Sequence, residues 1–138
     1  MGKYQFGSAS LARLNTCDPR LQVVMKASIA QGIMDMTVTE GHRDQATQDR
    51  YFSEGKSRIK FPDGKHNSYP SKAVDVAPFV GGKLSYDQRH CCHMAGLILG
   101  IAASLGIKLR WGGNWDQDGE PVTDQDFQDL VHFELVGE

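Results

Sequence analysis

Residues 73–77, Ala-Val-Asp-Val-Ala, set a carboxylate in the middle of an alternating apolar run, and this stretch limits the fold most tightly. Alternation of this kind marks a β-strand, with Val74 and Val76 on one face and Ala73, Asp75 and Ala77 on the other. The valine face needs a core to pack against. The opposite face carries a charge that is costly to bury unless it is solvated, paired or bound to a cation. The alanines beside Asp75 leave space around it. Upstream, His66 lies in a polar loop rich in turn formers, residues 64–72. If that loop folds back, His66 and Asp75 become two ligands of one metal ion. The simpler account is an edge-strand aspartate and a surface histidine, both in water, because metal sites ordinarily carry more than two ligands.

A chain of 138 residues suits one domain, residues 1–138, with a single core. Its net charge is −2 and it has no basic block, so the electrostatic footprint of a nucleic-acid binder is missing. No apolar run approaches the ~18 residues of a membrane span, so no membrane insertion is expected. The opening residues lack the apolar centre of a signal peptide, and Phe6 breaks the myristoylation pattern. Synthesis in the cytoplasm is therefore expected. Cys17, Cys91 and Cys92 are odd in number and two are adjacent, which fits reduced thiols rather than a disulfide framework.

Asp18-Pro19 predicts a helix start, with core positions at Leu21, Val24, Met25, Ser28 and Ile29 and a stop at Gly32. Residues 36–39 alternate as a strand. Arg43 follows at a strand-to-helix junction, where a side chain can reach into a cleft or lie in solvent. Asp44 caps a second helix that carries Gln48 and ends at Gly55. Residues 56–72 form a long loop with Lys56, Arg58, Lys60, Lys65 and Lys72, suited to an acidic ligand or simply to water. Ser85 and Gln88 predict a capping box for the longest helix, 86–105, with a core face of Leu97, Ile98, Ile101, Ala102 and Leu105. His90 and His93, one turn apart, read as partly exposed helix residues rather than ligands. Leu109 and Trp111 mark a strand. Asp116, Asp118 and Glu120 around Gly119 make an acidic turn that lacks the full calcium-loop pattern. In the last strand, residues 131–136, Val131, Phe133 and Leu135 face the core, and His132 shares the other face with Glu134.

His66, Asp75 and His132 together offer two imidazoles and a carboxylate. Such a set holds Zn²⁺ tetrahedrally with one position left for water, whose pKa the ion lowers. Hydrolysis also needs a carboxylate that is not a ligand, to move the proton. Two are available. Glu134 faces the right way but could instead orient a ligand histidine. Asp129, three residues before His132, works only if the strand begins after it and the chain bends there.

These residues carry a family resemblance. His66 followed by Ala73-Val74-Asp75, a late Asp129-Leu130-Val131-His132, and an upstream Gly41-His42-Arg43 with Gln48 occur in the order found in zinc peptidases that cut peptidoglycan stem peptides. That family comprises D-alanyl-D-alanine carboxypeptidases, dipeptidases and small L-alanyl-D-glutamate endopeptidases of tailed phages. The chain most resembles the single-domain phage endolysins, from Phe6-Gly7 through Gly106-Ile-Lys-Leu-Arg-Trp-Gly112 to the C-terminal His-Phe-Glu-Leu-Val. The resemblance implies His66, Asp75 and His132 as zinc ligands and Asp129 as general base and acid. It implies Arg43 holding a substrate carboxylate or carbonyl, supported by Gln48. It also implies calcium as a regulator, with Asp116, Asp118 and Glu120 as candidate ligands.

The sequence departs from the family at Gly64, where a serine is usual, and at Tyr69-Pro70, which lengthens the His-to-Asp spacing. The expected fold is α+β, a small and mostly antiparallel sheet with helices packed on one face and the zinc site on the other. The expected partner is the bacterial stem peptide, cut at L-Ala–D-Glu by a monomer that reaches the wall through a separate membrane-permeabilising protein. The alternatives are a D-Ala-D-Ala carboxypeptidase or dipeptidase and a non-catalytic wall-binding zinc module.

Overall fold

The alternation at Val74 and Val76 resolves into the second strand of an antiparallel sheet. The structure is a computed structural model that describes residues 3–123, 125 and 128–137. In chain order its elements are α1 (Ser8–Leu14), α2 (Pro19–Ala30), β1 (Met36–Glu40), α3 (Gln45–Ser53), β2 (Ala73–Val80), β3 (Lys83–Leu84), α4 (Gln88–Ser104), β4 (Leu109–Gly112) and β5 (Asp129–Leu135). The sheet order is β1-β2-β5-β4, and β3 pairs with β2 as a hairpin. All of these pairings are antiparallel. The α+β expectation holds.

One face of the sheet is apolar. Met36, Val38, Val74, Val76, Trp111, Phe133 and Leu135 lie in the core with Leu14 and residues of α2 and α4. The expected cap of α2 forms, as Asp18 accepts the Arg20 N–H and Pro19 opens the helix. Leu21, Val24, Met25, Ser28 and Ile29 are buried as their spacing predicts. Ser28 answers its own burial by donating to the Val24 carbonyl at 2.7 Å. Each leucine-sized side chain buried here contributes roughly 1.5–3 kcal/mol against conformational entropy.

Two expectations shift. The longest helix is capped by Asp87, which accepts the Arg89 N–H, and not by Ser85. Ser85 is still tied to the hairpin through the Pro78 carbonyl, and its hydroxyl bonds His90 Nδ1 at 2.7 Å. The fully buried stripe of α4 is Cys91, Met94, Ala95, Ile98 and Ala102; Leu97 and Ile101 pack against the core half-buried, as expected, whereas Leu105 is exposed. Small residues on that stripe let the helix lie close to the sheet. Cys17, Cys91 and Cys92 are free thiols. No described helix is long and apolar enough to cross a membrane.

Candidate metal centre

Asp75 and His132 are cross-strand partners in the β2–β5 ladder. Their neighbours Val74 and Phe133 point into the core, so these two side chains project from the opposite face. Asp75 Oδ1 lies 3.3 Å from His132 Nδ1. His66 reaches the same point from a 3₁₀ turn at Lys65–Asn67, with Nε2 3.1 Å from Asp75 Oδ1 and 3.3 Å from His132 Nδ1. The triad is nearly buried: His66 is 3% exposed and His132 8%.

The far nitrogens of both rings are committed. His66 Nδ1 lies 2.7 Å from the Gly41 carbonyl, which can only accept, so the proton sits on Nδ1. His132 Nε2 donates to Glu134 Oε1 at 2.7 Å. Each ring is thereby left with a lone pair aimed at Asp75. Three electron-rich atoms facing one another need a cation between them. Their separations of 3.1–3.3 Å match the edges of a tetrahedron whose centre-to-ligand distance is about 2.0 Å, the range of zinc bound by nitrogen and oxygen. These three residues form the one group among the described residues that could hold a metal ion.

Charge in the site is polarised accordingly. Burial works against a charged His132, but the carboxylates of Asp75 and Glu134 outweigh it and push the ring up to about 10, so a metal ion bound at Nδ1 must displace a proton from that nitrogen to free its lone pair. Asp75 is opposed by burial and held well below the usual carboxylate range by both histidines. Glu134 is also lowered against burial, by His132 and then Arg110. Asp129 goes the other way, raised by burial first and by the Asp75 charge next.

Asp129 does not precede β5, as its geometry was expected to require; it is the first residue of that strand. The bend comes from within. Trp111 pairs with Phe133, yet the next residue, Gly112, pairs with Asp129, so three residues of β5 bulge between them. That bulge cancels the period-two offset and sets Asp129 in the same cleft as His66 and His132. Gly112 is required for this pairing, since a Cβ there would run into the Asp129 backbone.

Glu134 has both oxygens occupied, Oε1 by His132 and Oε2 by Arg110 at 2.6 Å. Arg43 lies beside the centre, with Nη2 3.8 Å from Asp75 Oδ2. It is fixed by Glu40 Oε1 at 2.6 Å and Gln48 Oε1 at 2.9 Å, and its guanidinium lies 4.7 Å from the centroid of the Tyr51 ring. Gln48 is fully buried and saturated. Its oxygen also accepts from Asn67, while its amide donates to Ser57 Oγ and the Ile59 carbonyl. It therefore ties Arg43 to the 56–72 loop.

The family departures have a local reason. A Cβ at Gly64 would collide with the Asn67 carboxamide, which accepts the Gly64 N–H at 2.9 Å. The longer His-to-Asp spacing runs out to the surface, where Tyr69 packs edge-on against His42. In the acidic turn, Asp116 and Asp118 accept the N–H groups of Asp118 and Glu120, and the turn's carboxylates form no common donor set.

A cleft of about 410 Å³ opens beside the triad, lined by Arg43, Arg58, Lys65, Arg110, Trp115 and Asp129 among others. A second hollow of about 290 Å³ adjoins it and shares Arg43, Lys56 and Asp129. Sequence reasoning missed Glu40, Tyr51, Arg110 and Trp115. Arg110 was within reach, because it alternates with core-facing Leu109 and Trp111 and so had to share a face with Glu134.

The model of the phage L-alanyl-D-glutamate peptidase family matches residues 1–136. The chain is 30% identical over 136 residues to the L-alanyl-D-glutamate peptidase of Escherichia phage T5, covering 96% of this chain and 98% of that protein. Its fold is similar to the crystal structure of the Serratia marcescens L-Ala D-Glu endopeptidase ChiX, with a TM-score of 0.77 at 25% identity. That likeness covers 96% of this chain and 91% of the other.

Proposed function

Because this chain belongs to the phage L-alanyl-D-glutamate peptidase family, we propose that residues 1–138 act as one zinc-dependent peptidase domain on the L-Ala–D-Glu bond of peptidoglycan. The observation that carries the reading is the convergence of the His66, Asp75 and His132 donor atoms within 3.1–3.3 Å of one another, at the edge of a cleft that also holds Asp129.

His66 Nε2, Asp75 Oδ1 and His132 Nδ1 would hold the ion. When bound, zinc supplies Lewis acidity toward the scissile carbonyl and toward water. Asp129 takes the proton from the attacking water and returns it to the leaving amine. Its raised pKa suits a group that must both accept and give. Arg43, fixed by Glu40 and Gln48, presents its guanidinium next to Asp75 for a substrate carbonyl or carboxylate. Glu134 keeps the proton of His132 on Nε2, so that Nδ1 stays free to bind metal.

All of these groups come from one chain, which supports action as a monomer. The biological setting is host lysis, with access to the wall provided by a separate membrane-permeabilising protein. A regulatory calcium would draw on Asp116, Asp118 and Glu120, the first two of which also accept N–H groups of their own turn through Oδ1. Digestion of purified sacculi tests the bond. New amino-terminal D-Glu with no free D-alanine supports this reading, whereas free D-alanine means a carboxypeptidase or dipeptidase. Binding without any new amino termini means a wall-binding module.

A further inference from the structure

The two hollows that flank the metal-binding triad differ in charge. The larger is lined by Arg43, Lys56, Arg58, Lys65 and Arg110, against the carboxylates of Asp129 and Glu134. Glu134 is already spent on Arg110 and His132. Lys65 donates to the Leu135 carbonyl, a partner without net charge. The smaller hollow is lined by Glu40, Asp75 and Asp129 against Arg43 and Lys56, with the rings of Tyr51 and Tyr86. Arg58 and Lys65 line only the larger one, and Asp129 lines both. The group that must touch the scissile amide thus sits where the hollows meet.

The substrate is polar in the same sense. On the acyl side of an L-Ala–γ-D-Glu bond the chain carries no charge near the cut. On the amine side it carries the free α-carboxylate of D-Glu, and a diacid third residue adds a side-chain carboxylate. Opposite charge attracts the anionic amine side to the larger hollow, and the carboxylates of the smaller one repel that side and so disfavour the reverse orientation.

Resting on the peptidase reading above, we propose that the larger cleft holds the leaving half of the stem peptide, with Arg58 and Lys65 as a distal subsite for the side-chain carboxylate of a diacid third residue, and that the smaller hollow takes the uncharged alanyl half. The chain is therefore selective for stem peptides with a diaminopimelate-type third residue over those with lysine. Tyr86, 62% exposed at the rim, offers an aromatic face to the alanyl side.

The test compares two synthetic peptides, L-Ala–γ-D-Glu–diaminopimelate and L-Ala–γ-D-Glu–L-Lys. The wild-type kcat/KM is expected to be about tenfold higher on the first, the scale of one charge-assisted contact. Arg58→Gln and Lys65→Gln should each shrink that ratio several-fold, and the double variant should bring it near one. Arg58→Lys should keep it. Raising ionic strength should narrow it, because the loop is exposed. Equal rates in the wild type, a preference for lysine, or an unchanged ratio in a folded double variant would each overturn the proposal. If neither peptide is cut, the peptidase reading fails instead. Calorimetric binding of the same two peptides then decides the charge preference on its own.

Discussion

Glu134 Oε1 accepts the Nε2 proton of His132 at 2.7 Å, and this single bond decides which nitrogen of His132 meets Asp75. Glu134 is in turn held by Arg110. Removing the carboxylate frees the ring to change tautomer and to rotate. Glu134→Ala should therefore weaken zinc binding by about 10- to 100-fold, measured by competition with a chromogenic chelator. Unchanged affinity would mean that the bond is incidental.

The triad and Asp129 should separate experimentally. His66→Ala is expected to lose bound zinc. Asp129→Ala should keep zinc and fold yet lose about 10²- to 10⁴-fold in wall-clearing rate, the usual scale of a proton-transfer group. If Asp129→Ala clears walls normally, the proton passes through another group.

Gly112→Ala probes the bulge. The added methyl meets the Asp129 backbone, which cannot retreat without breaking the β4–β5 pairing. A loss of about 1–3 kcal/mol is expected from overpacking, together with lower activity as Asp129 shifts. Gly119→Ala is the control, since nothing lies within 4 Å of its added methyl. Equal thermal midpoints for the two variants would refute the steric argument.

Gln48→Leu strips four donors or acceptors of their partner in a mostly buried place. Leaving Arg43, Asn67, Ser57 and the Ile59 carbonyl short should cost about 1–3 kcal/mol. The 56–72 loop should become more open to proteolysis, and KM should rise as Arg43 loosens. Both are simple to assay beside a denaturant melt.

Asp18 gives a pH signature away from the metal. Its carboxyl is held well below the usual range, first by the Arg20 side chain against a smaller effect of burial, with the Arg20 N–H and Lys72 adding to it. A depressed native pKa means stability that is complete above the ordinary value of 3.8 and is lost as pH falls from there toward the native one. Asp18→Ala should cost about 1 kcal/mol at neutral pH as a lost helix cap. The gap between variant and wild type should close in acid. A gap that stays constant down to pH 2 would rule this out.

The donor set was legible because strands obey a period of two: Asp75 between valines and His132 beside Phe133 had to leave the core face, although Val131, expected in the core, falls in the bulge and lines the smaller hollow while Leu130 packs against the core instead. Arg110 and Glu134 obey the same rule. The approach of Asp129 was not legible, because a bulge breaks the period and depends on a glycine in another strand. The start of α4 was misread because Ser85 and Asp87 are both competent caps, and only the hairpin's hold on Ser85 chooses between them. Helix α1 was missed, since seven residues with Gly7 as N-cap carry too few turns to show a stripe. Strand β3 has two residues and follows Gly81-Gly82, both at positive φ, a turn signal that could have been taken.

The pairing of Asp75 with His132 across β2 and β5 has a consequence for exchange with solvent. Their spacing is set by ladder hydrogen bonds that form with or without an ion. His66 is carried by chain outside the sheet, pinned through the Gly41 carbonyl and the Arg43 N–H. Chelation should then leave the slowest-exchanging amides of the ladder untouched and speed deuterium uptake around residues 64–68, so that loss of the ion is felt as local opening and not as unfolding.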